Sequence, residues 1–298
     1  MSFSERIAEC QVFDPARYVP LGVDGTEMGL IERGFADTLK RFPQVFTVGG
    51  GAVHLHEGLS GFAARTAAVD GALRELKAEG MFPAWRGEAF PVGTGFSSPA
   101  AFTIERAAVP RFGVRGYGVH LNGYVRDGGQ FLMWVARRAM DRAMAPGKLD
   151  QIVAGGQPAG LSLRKNLIKE CGEEAAIPPG LAAGAVGVGA IAYCTERAEG
   201  LRRDVEFIYD LELPPDFTPV NADGEVAAFE LWPIEKVAER VRDTDDFKFN
   251  CALVVIDFLI RHGLIEPDHP EYETLIRGLR GGVSQKDVDA RVKSGHGA

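Results

Sequence analysis

Four cysteines in 298 residues, Cys10, Cys171, Cys194 and Cys251, lie far apart and form no C-x-x-C pair. This excludes a zinc ribbon and gives no disulfide framework, so a reduced, cytoplasmic setting is expected. Long hydrophobic runs are also missing. The longest uncharged apolar stretch, Leu181 to Cys194, is interrupted by glycines and falls short of the roughly 20 residues a membrane helix needs. No membrane contact is expected; the stretch reads as a buried strand pair, or a strand and turn. The opening MSFSERIAECQVF carries Glu5, Arg6 and Glu9 where an export signal needs an apolar core. Positive charge is in deficit, with 33 Lys and Arg against 41 Asp and Glu and a net charge of −8. That argues against a nucleic-acid polymer as partner, because each phosphate contact needs a cation. An anionic ligand would need local help from a few basic side chains or a metal ion. Two nucleotide cradles are absent as well. Gly147-Lys148 is followed by Leu149 rather than Ser or Thr, and Gly187-x-Gly189-x-x-Ala192 runs into the strand-like AIAYCTE where a dinucleotide fingerprint needs a helix.

What is present is a globular composition, 46% hydrophobic, 25% charged and 9% aromatic, in a length suited to two packed units. Residues 1–112 read as a small α/β domain. Ala63 to Gly80 has helical spacing with a glycine stop, while Val45 to Leu55 and Ala101 to Arg106 look extended. Turn-rich Pro110 to Gly118 marks the boundary. Residues 113–266 form the second domain, with strands Val119 to Val125 and Phe131 to Ala136 around an Asp-Gly-Gly turn. A short strand, Asp150 to Gly156, precedes a helix from Ser162 to Ile177, opened by an N-cap serine and closed by Pro178-Pro179. Strands Val186 to Thr195, Val205 to Leu213 and Ala227 to Trp232 follow. A last helix, Asp246 to Gly263, carries Cys251, Val254, Val255, Phe258 and Leu259 as one apolar stripe. Residues 267–298 read as a partly helical tail. The expected architecture is an α/β (α+β) sandwich of helices on a mixed sheet.

The helix after the glycine pair carries the chemistry. At 100° per residue Glu170, Glu173 and Glu174 share a narrow sector, where like charges repel by roughly 0.2–0.5 kcal/mol per pair. A solvated helix face is the ordinary explanation for such a trio. The preceding strand and double glycine reverse that preference, and hard oxygen ligands on one face suit Mg²⁺ or Mn²⁺. Arg137, Arg138 and Lys148 could supply positive charge to a phosphorylated ligand, although a charged strand end is equally expected for the two arginines. His120, Asn122 and Tyr124 share one strand face that lines a pocket or forms a hydrogen-bonded inner layer.

The segment Gly155 to Ile177 resembles the Nudix box, G-x5-E-x7-R-E-U-x-E-E-x-G-U, where U is bulky and apolar. Gly155, Glu170, Cys171, Glu173, Glu174 and Ile177 match it, whereas Leu161, Lys169 and Ala176 depart from it. Longer strings, GVHLNGYV, DQIVAGGQPAGLS, YDLELPPDF and FKFNCALVVIDFLIRHG, are similar to Nudix hydrolases of the thiamine-pyrophosphokinase-associated type. Those proteins carry an N-terminal domain of unknown function, as WRGEAFPV and IERAA here also suggest. The resemblance implies a Nudix α/β/α sandwich and a Mg²⁺-dependent (or Mn²⁺-dependent) hydrolase that cleaves a small diphosphate to a monophosphate and phosphate. Thiamine diphosphate or its oxidised forms are the implied substrates, with oxidised guanosine di- and triphosphates (8-oxo-dGDP type) as the other assigned class. Glu170, Glu174 and Glu173 are then the metal and catalytic carboxylates, Glu173 being a further ligand or the group that handles the attacking water. Gly155, Gly156 and Gln157, with Arg137, Arg138 and Lys148, are expected to contact substrate, and Glu225 and Glu230 are candidate bases by position. The three departures keep open a degenerate module that binds without catalysis. The N-terminal domain could close over the substrate, form a homodimer contact, or do both.

Overall fold

In the computed structural model, residues 1–142 and 144–281 are described. The N-terminal part is built on a four-stranded sheet in the order Thr26–Glu32, Tyr18–Val23, Ala52–Leu55, Phe46–Gly49, in which Tyr18–Val23 and Ala52–Leu55 run parallel. The helix Gly61–Ala78 buries Val69, Leu73 and Leu76 in the same core as Leu21, Ile31 and Val53. The spacing of that valine and those two leucines along the helix is the 3–4 residue period of a single buried stripe. A separate hairpin, Ala89–Val92 with Phe102–Glu105, closes this part against the rest.

The second sheet has seven strands. Arg115–Asp127 lies at its centre, parallel to Gly200–Glu212 and antiparallel to Gln130–Arg138. Of two short strands, Val153–Gly156 pairs with Arg115–Asp127 and Leu149–Gln151 with Gln130–Arg138. Because side chains alternate faces along a strand, Val119 and Leu121 meet the helix Leu163–Ala175 on one side. On the other side Tyr124 and Ile208 meet the helix Phe249–Arg261. The result is a mixed sheet between helical layers, the expected architecture.

Three local expectations change. The central strand begins at Arg115, so the turn-rich boundary shrinks to the short helix Val109–Phe112 and left-handed Gly113 (φ 51°). Of the two readings of Leu181 to Cys194, the structure shows the turn and strand rather than the strand pair: a helical turn, Pro179–Ala182, leads into an edge strand, Val186–Arg197, whose first half is largely exposed. The last helix buries every residue from Asn250 to Leu259 rather than one stripe. It is wrapped on its outer side by Phe3–Ala8, Ile234–Asp243 and Tyr272–Arg280, so that Phe3, Ile7, Leu275 and Leu279 complete its core. The first helix of the chain therefore packs on the second domain's helices. Of the C-terminal tail, Tyr272–Arg280 is helical and residues 282–298 lie outside the described residues.

Candidate active site

The strand Val153–Gly156 and the helix Leu163–Ala175 dock through one missing side chain. A methyl group on Gly155 would overlap Glu170 Cγ and Cδ and stand 2.7 Å from Oε2. Only glycine lets the carboxylate lie against the strand. One residue earlier, the Ala154 N–H donates to Glu174 Oε2 at 2.8 Å. Asn166 Nδ2 pins the same helix to the Gly156 carbonyl at 2.8 Å. The helix itself starts at Ser162, whose Oγ accepts the Lys165 N–H at 3.3 Å. It ends on Ala176 at φ 52°, a left-handed position that costs a β-carbon roughly 1–2 kcal/mol.

The glutamates separate by burial. Glu174 is 8% exposed and Glu170 keeps 14% of its side-chain surface, whereas Glu173 keeps 48% and pairs with Lys169. Burial pushes Glu174 up to about 8 against the Ala154 N–H, which favours the anion; the charges of Glu170, Asp150 and Glu225 add to the rise. Burial also raises Glu170, with Lys169 opposing. Carboxylates on one docked helix face offer the oxygen ligands that a hard divalent ion takes. The sign of the linkage follows. A carboxyl whose folded value lies above its unfolded one stabilises the fold at acid pH and loses that contribution as pH rises from about 4.5 toward about 8. The metal-free chain should therefore melt progressively lower across that window relative to Glu174→Gln, and Mg²⁺ should raise the native melting temperature more at pH 8 than at pH 5. Parallel pH profiles for the two proteins would refute the assignment.

Beside these acids opens a cavity of about 450 Å³, within the usual range for small-ligand sites. Seven Arg and Lys side chains line it against four Asp and Glu, a local excess of positive charge in a chain of net charge −8. Its floor holds Asp204 and Glu206, both buried, against Gly116 and Gly118, where a methyl group would collide with either carboxylate. The Tyr193 hydroxyl donates to Asp204 at 2.9 Å and Glu206 at 3.3 Å, and Asn250 Nδ2 donates to Glu206 at 3.1 Å. Alternating acids on one strand, Asp204 and Glu206, were not singled out in the sequence, where the only signal was their period of two.

Of the residues anticipated, Gly155, Gly156 and Arg138 line the cavity, as do His120 and Glu225. Arg138 is anchored on Asp150 at 2.9 Å and on the Met144 carbonyl. Arg137, next along the strand, points to the other face and pairs with Glu230 at 3.5 Å outside the cavity. Lys148 is bound to Asp245 at 2.9 Å beside a separate small hollow. Gln157 is turned inward: its Nε2 donates to the Leu161 carbonyl at 2.7 Å, bracing the glycine loop from the chain itself. Asn122 is committed to Asp210 at 2.9 Å and Tyr124 to the core, so of these three side chains His120 reaches the cavity.

His120, Asp150 and Cys251 also converge, all buried. This cluster is already neutralised. Burial opposes ionisation of Asp150, yet Lys248 and Arg138 hold it down at about 2. The Cys251 thiol, pushed well up by burial and by Asp150, donates to that carboxylate at 2.7 Å. Two adjacent cations leave a metal ion no electrostatic advantage there.

Fold and site together define an α/β sandwich protein with an arginine-lined cavity beside a patch of acids. Comparison with known proteins narrows this. Residues 2–116 match the family described as Domain of unknown function (DUF4743). The chain is 44% identical over 284 residues to Nudix hydrolase 24, chloroplastic, of Arabidopsis thaliana, covering 94% of this chain and 78% of that one. It is 42% identical over 289 residues to Nudix hydrolase 20, chloroplastic, of the same plant, covering 93% and 77%. The Nudix domain of Shewanella oneidensis NrtR, solved with ADP ribose, aligns with 50% of this chain and 89% of its own at 13% identity and a TM-score of 0.40. The chain belongs to the Nudix hydrolases, with a DUF4743 domain at its N-terminus; it is a hydrolase of phosphoric anhydride bonds, in a family that works with divalent metal ions. Among the described residues no helix is long and apolar enough to cross a membrane, and all four cysteines are free and buried.

Proposed function

We propose that this chain is a Mg²⁺- or Mn²⁺-dependent hydrolase of a thiamine-diphosphate-like substrate, releasing a monophosphate and phosphate. The observation that carries the reading is the cavity itself, with the half-buried Glu170 and the buried Glu174 beside a cationic lining and a pair of buried carboxylates on its floor. Glu170 and Glu174 hold the ion, and Glu173, one residue away, stands at the solvent side of the same turn. When bound, the metal neutralises diphosphate oxygens and makes hydroxide available from water near neutral pH. Glu225 lines the cavity within the field of Glu174 and is held by Arg86 and Arg142; it accepts the proton of the attacking water. Arg138 places positive charge on the same wall. Asp204 is paired with Arg202 at 2.7 Å, so Glu206 is the acceptor that favours a ring with positively charged N–H groups, as an aminopyrimidine–thiazolium pair has, and Asp204 adds a second acceptor beside it.

The guanine edge of an oxidised guanosine diphosphate also presents adjacent N–H donors, which makes it the second reading of the same floor. A panel separates them: thiamine diphosphate, oxythiamine diphosphate, oxidised guanosine di- and triphosphates, ADP-ribose and coenzyme A, each with and without Mg²⁺. The expected result is metal-dependent phosphate release from thiamine diphosphate or an oxidised form at a kcat/KM about tenfold or more above ADP-ribose and coenzyme A, since one charge-assisted contact is worth about 1.5–3 kcal/mol. Preference for ADP-ribose would overturn the substrate class. Tight binding without product across the panel would make the chain a non-catalytic binder.

A further inference from the structure

Arg106 belongs to the N-terminal domain by chain position, yet its guanidinium stands over the glycine strand of the other domain. A methyl group on Gly156 would lie 3.2 Å from Arg106 Cζ and 3.4 Å from Nη2, so the second glycine is open for this side chain as the first is for Glu170. The positive charge of Arg106 reaches Glu170 and favours its anion. Arg106 donates to Glu88 at 3.0 Å and rests 5.8 Å from the Phe90 ring centroid. A guanidinium carries five N–H donors in a planar fork suited to phosphate oxygens, so most remain for a ligand. Arg86, from the same domain, lines the cavity beside it and donates to Glu225 at 3.3 Å.

One carboxylate organises both arginines. Glu105 is 7% exposed and accepts the backbone N–H groups of Arg86 at 2.8 Å, Gly87 at 3.0 Å and Ala107 at 3.4 Å. It thus ties the segment that carries Arg86 to the helical turn Arg106–Ala108. Two stretches of the N-terminal domain, Met81 to Phe90 and Arg106 to Arg111, form one wall of the cavity.

We propose that the DUF4743 domain is half of the substrate site: Arg106, with Arg86 beside it, grips the diphosphate of the ligand opposite the carboxylate helix, so that binding requires both domains. The inference rests on the reading of the cavity as a diphosphate site. Arg106→Met keeps the stem on Phe90 while removing charge and donors, Arg106→Lys returns the charge, and Glu88→Gln removes only the surface partner. In the full chain, KM for the best substrate of the panel and the Kd for inorganic pyrophosphate with Mg²⁺ are measured alongside melting temperature. Arg106→Met should raise both constants about 10- to 100-fold, the value of a charged hydrogen bond or two, with kcat changed less and melting close to native. Arg106→Lys should recover part of the loss, and Glu88→Gln should stay near native; if Arg106→Met folds poorly, Arg106→Gln gives the same readout. Native-like constants in Arg106→Met, in an enzyme that is active before substitution, would overturn this inference alone. Loss of equal size in Glu88→Gln would also overturn it, by making the arginine a structural strut. A native chain that neither binds pyrophosphate nor cleaves any diphosphate would overturn the functional reading with it.

Discussion

Replacing Glu174 by glutamine should lower metal-dependent phosphate release about a thousandfold while the chain folds as before. A divalent ion contributes several kcal/mol to the charge that develops in anhydride cleavage, and each 1.36 kcal/mol is a factor of about ten in rate. The structural side of the expectation is unusual for a buried charge. With Glu174 raised to about 8, the metal-free native state already carries a neutral carboxyl at neutral pH. Glutamine matches that form in shape, and its amide oxygen still accepts the Ala154 N–H that Glu174 now takes at 2.8 Å. The melting temperature without metal should therefore stay within a few degrees of native, and the stabilisation by Mg²⁺ should disappear. Initial-rate assays and melting curves, with and without Mg²⁺, check both halves. Unchanged turnover, or a loss explained by unfolding, would remove Glu174 from the site.

How far the sequence reveals this arrangement differs between its parts. The mixed sheet and its two covering helices follow from local signals, namely the Asp-Gly-Gly turn, Ser162 as N-cap and the stripe around Val254. The exposure of the first half of the edge strand Val186–Arg197 is not legible, because apolar letters without a period give no sign of which neighbours will cover them. Helical spacing puts Glu170, Glu173 and Glu174 in one sector. Only the docking of the strand Val153–Gly156 decides that Glu173 is the one left to solvent. The departure Lys169 finds a local explanation that no one-dimensional pattern contains: it bridges Glu170 and Glu173, while Gln157 braces the loop through the backbone carbonyl of Leu161. Arg86 and Arg106 stayed unnoticed for a different reason: they are distant in sequence from every box residue, and a surface arginine has no distinguishing neighbours until two domains meet.

Gly155→Ala is the sharper test of that docking, because it changes no charged group. The new methyl would overlap Glu170 Cγ and Cδ. The obstacle is the end of a flexible side chain rather than backbone, so the fold can yield by swinging Glu170 away, and stability should fall by no more than about 1–3 kcal/mol. Catalysis has no such tolerance. A carboxylate moved by about 1 Å from where the ion and the diphosphate meet can lower turnover about a hundredfold, and the metal affinity should weaken in parallel, seen as a higher Mg²⁺ concentration at half-maximal rate. Gly156→Ala provides the contrast. There the crowding atoms are Phe90 Cζ at 2.8 Å and Arg106 Cζ at 3.2 Å, so the loss should appear in KM and leave the Mg²⁺ requirement alone. If both alanine variants instead shared one kinetic signature, the two glycines would not serve two different side chains, and the division of the site into a metal face and a phosphate-gripping face would be wrong.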